Sequence, residues 1–378
     1  MRIIWPSEIS TSDKASIYLR DCFPIGQDLL IKNVDTQVAV LDTRTQQFPL
    51  TINDGNATTK IKEKNSYVVS PLSAYTDYAL EEIARIKKPL LTFPLVILVY
   101  IFRFFLSLAK VDKIVHINNW LLSTNIYPQD WLGEDVDDIT TKLCDEFPDY
   151  VFAFRSLNES SNKVLIRQLE SVGYVAVPSR QVYLFDGSEK PNFLNNHNTK
   201  LDAKLLEKTD YEILSASELT EADFSRLEEL YNLLYLDKYC RLNPQYSARW
   251  LKCGGNHGWL DLKALKNKSG VIDGVVGWFS DSNTITAPIV GYDTSLPQSA
   301  GLYRLLTQLC LQRAVSEKKL LNFSSGAAHF KRLRGGQPSI EYTMVYINHL
   351  GFYKRFVWKT LSFLLHLIAV PLMRKLKL

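Results

Sequence analysis

The sequence predicts a mixed α/β protein made of two consecutive domains with a similar order of strands and helices. In residues 211–347, two helices precede three candidate antiparallel strands, and helix, strand, helix and strand then alternate. A weaker version of this order occupies residues 35–186. The polar, turn-rich residues 187–199 predict a linker between a domain at 1–186 and a domain at 200–351. The length of 378 residues suits two domains of ordinary size.

The composition is that of a folded globular protein. Hydrophobic residues make up 46% of the chain and charged residues 22%, which excludes intrinsic disorder. A net charge of +4 is too small to indicate binding to DNA. Five scattered cysteines without a C-x-x-C pair indicate free thiols and no metal site. The first eight residues lack the apolar stretch of a signal peptide, so we expect a cytoplasmic protein.

The first half alternates short strands with helices. Apolar and β-branched runs bounded by turn residues predict strands, and apolar residues at three- and four-residue spacing predict helices. The apolar run at 150–154 is typical of a strand buried on both faces. The predicted strands cover residues 38–41, 49–52, 67–69, 113–117, 150–154 and 181–185, and the predicted helices cover 75–87, 136–146 and 163–170.

The second half shows the same patterns more clearly. Thr220 stands where a helix N-cap is expected, directly before a helical stretch that begins at Glu221. The predicted strands cover residues 211–214, 259–265, 271–280, 284–293, 320–323 and 342–347, and the predicted helices cover 221–236, 244–252, 299–318 and 327–333.

Residues 89–109 form a long apolar segment between lysines. Its length would cross a bilayer. Pro94 and Arg103 oppose a span, because a central Arg costs about 2.5–3.5 kcal/mol on insertion scales. We expect a buried or half-buried helix over residues 95–110, with an interfacial helix and a true span as the alternatives.

Residues 352–378 form a second apolar segment, with basic flanks. Apolar residues recur at helical spacing up to residue 369, and Pro371 then bends or ends the helix. The pattern predicts an amphipathic, basic C-terminal helix. Two roles remain open, and both can hold: adhesion to anionic lipid at the inner face of the membrane, or packing on the preceding domain.

Residues 287–303 predict a strand, a turn and a helix whose first residues are small. Backbone N–H groups at a helix N-terminus, with Gly301 allowing close approach, make an anion site that suits a pyrophosphate. An ordinary strand–turn–helix connection is the alternative.

Two motifs in this half resemble those of a known family. Gln298-Ser299-Ala300-Gly301-Leu302-Tyr303 resembles the acyl-CoA loop of the GNAT superfamily, Arg/Gln-x-x-Gly-x-Gly/Ala, with Tyr303 in place of the last small residue. Residues 322–335 resemble a motif of the BioF2-like/CelD-type acetyltransferases, which are related to the FemAB peptidyltransferases. The resemblance covers about residues 200–374. It implies a GNAT-like acyl-CoA N-acyltransferase fold in the second domain, and the duplication in FemAB-like relatives implies a similar first domain.

The resemblance also implies an activity. Acetyl-CoA, acyl-CoA or a carrier-bound acyl thioester would be the donor, held by residues 298–303, and a small-molecule or lipid-like amine the acceptor. The alternatives are FemAB-like transfer from aminoacyl-tRNA and a non-catalytic, membrane-associated binding module.

Four residues are candidates in the catalytic region of such a domain. His329 follows the Gly326 turn and could titrate near neutrality, and Tyr346 could protonate a leaving thiolate. Lys331 and Arg334 could hold a carboxylate or phosphate. The alternatives are a structural histidine, a tyrosine packed in the core and a solvated helix face.

Four further residues are candidates for contact with the acceptor. Asp237 and Tyr239 lie where GNAT-like proteins admit the acceptor, so Asp237 could bind a cationic amine; a simple helix end is the alternative. In the first half, Arg155 and Asn158 follow a predicted buried strand, and polar residues at such strand ends often line clefts.

Overall fold

The computed structural model of the chain describes residues 1–9, 13–23, 30–43, 45–56, 64–86, 88–188 and 191–376. The last residue of the predicted helix 75–87, residues 189–190 of the predicted linker and the last two residues of the C-terminal segment lie outside the described residues.

The described strands form one sheet of twelve, in the order β1-β2-β3-β4-β5-β12-β6-β11-β10-β9-β8-β7. The strands are β1 Arg2–Ile4, β2 Gln37–Asp42, β3 Gln47–Asp54, β4 Lys113–Ile117, β5 Val151–Asn158, β6 Val175–Asp186, β7 Glu212–Ser215, β8 Asp261–Lys266, β9 Ile272–Asp281, β10 Thr284–Tyr292, β11 Leu320–Asn322 and β12 Gln337–Tyr346.

The strand order is the same from either edge of the sheet. Strands β1 to β5 of the first half correspond to β7 to β11 of the second, and β4–β5 and β10–β11 are the parallel pairs among antiparallel neighbours. The last strand of each half is exchanged at the centre, since β12 pairs with β5 and β6 pairs with β11. The halves therefore share one sheet, and the division into residues 1–186 and 200–351 stays a prediction.

Helices cover both faces of this sheet. They are α1 Lys14–Cys22, α2 Tyr78–Ala84, α3 Pro89–Leu108, α4 Val136–Glu146, α5 Lys163–Val172, α6 His197–Glu207, α7 Glu221–Asn232, α8 Ala248–Asn256, α9 Leu302–Ser316, α10 Ala328–Arg332, α11 Phe352–Leu364 and α12 Val370–Leu376. Turns of π-helix precede α2, follow α7 and join α11 to α12. The predicted cap is present, because the Thr220 side chain accepts a hydrogen bond from the backbone N–H of Asp223.

One apolar core joins the two halves. The loop after β4 places Trp120 and Leu121 among buried side chains of the second half, including Trp250 and Phe279. The Tyr18 hydroxyl donates to the Trp120 carbonyl at 2.7 Å, and the Tyr246 hydroxyl donates to the Leu121 carbonyl at 2.9 Å. Buried aromatic contacts and satisfied polar groups thus hold the first half against the second.

Several elements differ from the prediction. Residues 67–69 form a turn and no strand, although their backbone is buried. Helix α6 begins inside the predicted linker, because Asn196 caps it through the backbone N–H of Asn198. Polar residues such as Asn favour the start of a helix as well as a linker, and here they form a helix start.

Helix α3 differs most from the prediction. Of the expected buried or half-buried helix, the fully buried form is wrong, since Leu106 is the buried residue within α3 and eight of its large apolar side chains are exposed. The physical reason lies in the topology. Residues 55–112 are inserted between β3 and β4, whereas the corresponding strands β9 and β10 are joined by a tight turn. Within this insertion Tyr67, Val68 and Val69 pack into the core, whereas α3 contacts α2 and α11 along part of its surface only.

Candidate functional site

A gap opens in the second half where β10 and β11 separate. They pair in parallel over residues 284–286 and 320–322. Beyond that point the Phe323 N–H donates to the Tyr183 carbonyl of β6 at 2.9 Å, and the Tyr183 N–H donates to the Ser324 carbonyl at 3.1 Å. The chain after β11 thus follows β6, while β10 continues to Tyr292 with β9 as its neighbour and no longer pairs with β11.

Backbone N–H groups of β10 point into this gap. The register between β10 and β9 shifts between Thr286 and Ile289, and the bulge contains Pro288, which has no N–H. The Asp293 N–H donates to the carbonyl of Asp273, in β9, at 2.9 Å. Because antiparallel strands alternate their hydrogen-bonding direction, the N–H groups of Val290 and Tyr292 face the opposite side, toward the gap.

Aromatic side chains line the gap. Gly291 lets α7 lie directly on β10, because a Cβ there would be 2.6 Å from the backbone of Leu230 and Tyr231. The π-helical turn after α7 then stacks Tyr235 on Tyr231, with ring centroids 4.8 Å apart. Burial raises the pKa of the Tyr235 phenol above its ordinary value, so this hydroxyl stays neutral.

Tyr303, the residue that departs from the GNAT loop pattern, also lines the gap. Its ring lies 6.0 Å from that of Tyr292 and 4.7 Å from that of Phe330. Burial raises the pKa of Tyr303 well above its ordinary value. The side chain at this position therefore fills the space between β10 and α10.

Lys331 is buried on the side of the gap formed by the chain after β11. Its ammonium donates to the carbonyl oxygens of Phe323, Ser324 and Ser325 at 2.5, 3.2 and 2.8 Å. The alternative of a solvated helix face is wrong for Lys331, since the residue is buried, and its expected role in holding a carboxylate or phosphate stays a prediction. Burial, with a smaller contribution from the charge of Arg180, lowers the pKa of Lys331 to about 7. The side chain holds a strained turn, in which Ala327 has a φ of 46°.

Two buried arginines lie at the centre of the sheet. The Arg180 Nε donates to Glu341 Oε1 at 2.9 Å across the β6–β12 pair, and its Nη2 donates to Thr124 at 2.9 Å. Arg155 donates to Asn119 Oδ1 at 3.0 Å. Burial lowers the pKa of Arg155, and Arg180 adds to the effect. The cluster holds two cations for one carboxylate, an excess of buried positive charge.

The predicted donor loop precedes α9. Residues Gln298–Ala300 form one turn of 3-10 helix, and Gly301 has a φ of 69°, which a glycine adopts without strain. Gln298 and Ser299 are exposed, and the first turn of α9 carries no acidic residue. Leu205 of α6 packs behind the loop, since a Cβ at Gly301 would be 2.7 Å from its Cδ2.

The corresponding helix of the first half is electrostatically different. Helix α4 carries Asp137 and Asp138 in its first turn, where their charges oppose a bound anion. Of the two related helix N-termini, that of α9 is therefore the one suited to a phosphate group.

The structure gives Arg334 an internal partner. Its Nε lies 2.5 Å from Asp202 Oδ2, and the Nε of Arg304 lies 2.6 Å from Asp202 Oδ1. The Arg334 guanidinium also lies 3.3 Å from the centre of the Phe330 ring. A ligand-binding role for Arg334 stays a prediction, because the observed contacts join α6, α9 and the end of α10.

Two of the predicted acceptor residues, Asp237 and Tyr239, border an open cavity of about 460 Å³. Its lining consists of Glu81, Leu236, Asp237, Tyr239, Cys240, Arg241 and Leu242. Asp237 is exposed and lies 3.7 Å from Arg241. Arg85, at the end of α2, donates to the Tyr239 carbonyl at 2.7 Å and connects this cavity to the inserted helices.

The remaining predicted residues lie apart from each other. His329 is exposed on α10. Tyr346 ends β12 and stacks on Phe152, with ring centroids 6.3 Å apart. Ten strand residues span about 30 Å, so Tyr346 lies far from the end of β12 that adjoins α10. Asn158 accepts backbone N–H groups of Ser160 and Ser161 and thereby orders its own turn.

The sequence interpretation missed the pair Arg180 and Glu341 and the aromatic residue Tyr235. Arg180 and Glu341 each stand one position before a predicted strand, and the strands extend further than predicted. The available signal was a charged residue just before the start of each predicted strand, but the register that makes these two residues face each other exists only in the sheet.

No family model and no curated protein matches the chain. The solved structure of FemX is similar over 92% of this chain and 98% of its own, with 7% identity and a TM-score of 0.51. A tandem GNAT protein from the clavulanic acid biosynthesis pathway aligns with 91% of this chain and 92% of its own, with 8% identity and a TM-score of 0.38. L-PGS from Bacillus licheniformis aligns with 62% of this chain and 79% of its own, with 11% identity and a TM-score of 0.43.

The similarity to FemX covers nearly the whole of both chains and includes the two halves and their shared sheet. The expected fold class is thereby confirmed. This chain has the mixed α/β fold of FemX, and its C-terminal segment begins with the helix α11.

Proposed function

We propose that the protein is an acyltransferase that moves an acyl group from a thioester donor to an amine. The gap between β10 and β11 carries this proposal, because the N–H groups of β10 that face away from β9 are directed into it, a few residues before α9 begins. The N–H groups of β10 would bind the reacting carbonyl, and the N-terminus of α9 would bind the phosphates of the carrier.

The proposed chemistry is nucleophilic acyl transfer. The acceptor nitrogen attacks the thioester carbonyl carbon, the C–S bond breaks, and the thiol leaves with a proton. The N–H groups of Val290 and Tyr292 would donate to the oxyanion that forms. The amine must first lose a proton, and His329, on the helix beside the gap, is the proposed acceptor of that proton through water. The proposal makes no use of Tyr346.

Acyl-CoA is the proposed donor, held by residues 298–303. Gly301→Trp should abolish binding of acetyl-CoA measured by calorimetry, because the side chain would collide with Leu205 and displace the loop. Gly258→Trp is the matched control. Gly258 has a φ of 70°, close to that of Gly301, but no atom lies within 4 Å of its Cβ position. Equal acetyl-CoA binding by both variants and the unaltered chain would contradict the proposed donor site.

One observation favours a second candidate donor, aminoacyl-tRNA. Leu205 lies against Gly301, and Tyr303 occupies the last position of the loop, so the loop offers a pyrophosphate less room than the GNAT pattern does. An ester on a tRNA 3′ end needs no such cradle. Transfer that depends on aminoacyl-tRNA and disappears on ribonuclease treatment would assign this donor, and transfer from acetyl-CoA that survives ribonuclease would exclude it.

We infer that the acceptor amine enters through the cavity beside Asp237, on the cytoplasmic side of the membrane. A cationic amine would meet the carboxylates of Asp237 and Glu81 there. Asp237→Asn should raise KM for the amine about tenfold and leave kcat unchanged. Asp210→Asn is a control at another exposed carboxylate, which forms an ion pair with Lys268. An unchanged KM in Asp237→Asn would place the acceptor elsewhere.

A further inference from the structure

We propose that α3, α11 and the π-helical turn after α11 form one surface that docks in the plane of an anionic lipid bilayer. We call this surface the apolar platform. Its exposed members are Leu90, Phe93, Ile97, Phe104, Leu108, Phe352, Phe356, Phe363 and Leu367.

The α3 part of the platform is a single helical stripe. Leu90, Phe93, Ile97, Phe104 and Leu108 recur at steps of three, four and seven residues, which places them on one face of the helix. Leu90 is 97% exposed and Phe93 is 70% exposed. Contiguous exposed apolar area of this kind marks an interaction site.

The C-terminal part is a second stripe, on a helix that packs against α3. Phe352 and Phe356 of α11 are exposed, while Trp358 on the other side is buried in a cluster with Leu106 of α3. The Tyr353 hydroxyl donates to the Phe105 carbonyl at 3.5 Å. Since the two helices are in contact through these residues, their exposed stripes belong to one surface.

The charge of these segments matches an anionic bilayer. Residues 88–110 and 352–376 contain eight Lys or Arg and no Asp or Glu. The whole chain has a net charge of +4, so the rest of the chain has a net charge of −4. Basic residues that flank an exposed apolar face are the pattern of helices that bind anionic lipid. The same concentration of positive charge opposes face-to-face contact between two copies of the chain.

The contacts of α3 favour docking over a span. Arg103 forms an ion pair with Asp77 before α2, and Leu106 is buried, so the last turns of α3 are attached to the folded body. The free part, residues 89–102, is about 21 Å long. The hydrocarbon core of a bilayer is about 30 Å thick.

Docking also defines the class of the acceptor, a step that rests on the proposed function. Arg85, just before α3, contacts the backbone of Tyr239 at the cavity that contains Asp237. A protein bound through the apolar platform would therefore hold this cavity close to the bilayer. The acceptor would be an amphiphile whose amine lies at the membrane surface.

Sedimentation of the full-length protein with vesicles tests the docking. We expect binding to phosphatidylcholine vesicles that contain phosphatidylglycerol, and much weaker binding to phosphatidylcholine alone. The triple variant Phe93→Ser, Ile97→Ser, Phe104→Ser should reduce partition about a hundredfold, because three inserted side chains are lost. The double variant Val164→Ser, Val271→Ser removes exposed apolar side chains elsewhere and should bind as the unaltered chain does.

Three results would overturn the proposal. They are unchanged vesicle binding by the triple variant, resistance of the bound protein to alkaline carbonate extraction, which indicates a span, and a lipid-independent dimer that the triple variant dissociates. Acyl transfer to an amphiphilic amine in the same vesicles is measured in parallel. If that transfer is absent while vesicle binding behaves as expected, the proposed function fails and the docking stands.

Discussion

Asp202 links three helices around the donor loop, and its removal offers a direct test of the packing there. The carboxylate is buried and contacts Arg334 at 2.5 Å and Arg304 at 2.6 Å. The Arg334 side chain is 6% exposed, whereas that of Arg304 is 39% exposed. The two arginines therefore depend on Asp202 to different degrees.

The expected magnitudes follow from this difference. Asp202→Ala leaves the Arg334 guanidinium buried without its partner, which should lower the free energy of unfolding by about 3–5 kcal/mol. Arg304→Ala leaves the buried Arg334–Asp202 pair intact and removes a partly exposed ion pair, which should lower it by about 1 kcal/mol or less. The double variant Asp202→Leu, Arg334→Met replaces both charges by apolar groups and should recover most of the stability lost in Asp202→Ala.

Urea unfolding followed by circular dichroism measures all three variants. Calorimetric binding of acetyl-CoA reports separately on the loop at Gly301, which Leu205 of the same helix contacts. A loss below about 1 kcal/mol in Asp202→Ala, or no recovery in the double variant, would refute the claim that a buried charge is left unpaired.

Three further outcomes are expected. The pKa of Lys331 is lowered to about 7 from an ordinary 10.5, so the unfolded state binds more protons between these values and stability should rise with pH there. Urea unfolding at several pH values should show this slope, up to about 1.4 kcal/mol per pH unit, reduced in Lys331→Met. Gly291→Ala should lower the free energy of unfolding by about 1–3 kcal/mol, because its Cβ would press on the backbone of α7; a loss near zero would contradict this packing. Burial raises the pKa of the Cys310 thiol from 9.0 to about 12, so the thiolate fraction at pH 8 falls about a thousandfold. Alkylation followed by mass spectrometry should be slower by about that factor than in the unfolded chain, and equal rates would contradict the burial.

The exchange of the last strands has a consequence for the site. Strand β6 belongs to the first half in sequence, yet its residue Tyr183 holds the chain after β11, and Arg180 reaches Glu341 of β12. The gap between β10 and β11 is thus bordered by a strand from the other half. A second half produced alone would lack β6, and the turn that Lys331 stabilises would lose the strand it pairs with.

The inserted helices distinguish the two halves. The corresponding strands of the second half are joined by a tight turn, whereas residues 55–112 lie between β3 and β4. The acidic first turn of α4 gives the first half a helix N-terminus that repels anions. These differences favour a division of labour, in which the first half supplies the α3 part of the apolar platform and the second half the proposed donor site.

Local patterns in the sequence determined much of the fold. Helix α4 has the predicted bounds, and the strands β8, β9 and β10 are antiparallel neighbours as predicted, because period and turn residues act over a few positions. The GNAT-like fold was also predictable, from the order of elements and the motif around Gly301. Tyr67 to Val69 shows the limit, since an apolar run packs equally well as a buried turn.

Only the tertiary structure decided which side chains meet. Arg180 and Glu341 are 161 positions apart and become partners through strand exchange. Lys331 and Arg334, both expected to bind a ligand, are buried against carbonyl oxygens and Asp202. Residues 89–108 have the composition of a core helix, yet they project from a hairpin and remain exposed. Burial and pairing depend on contacts between distant segments, and no local pattern in the sequence contains them.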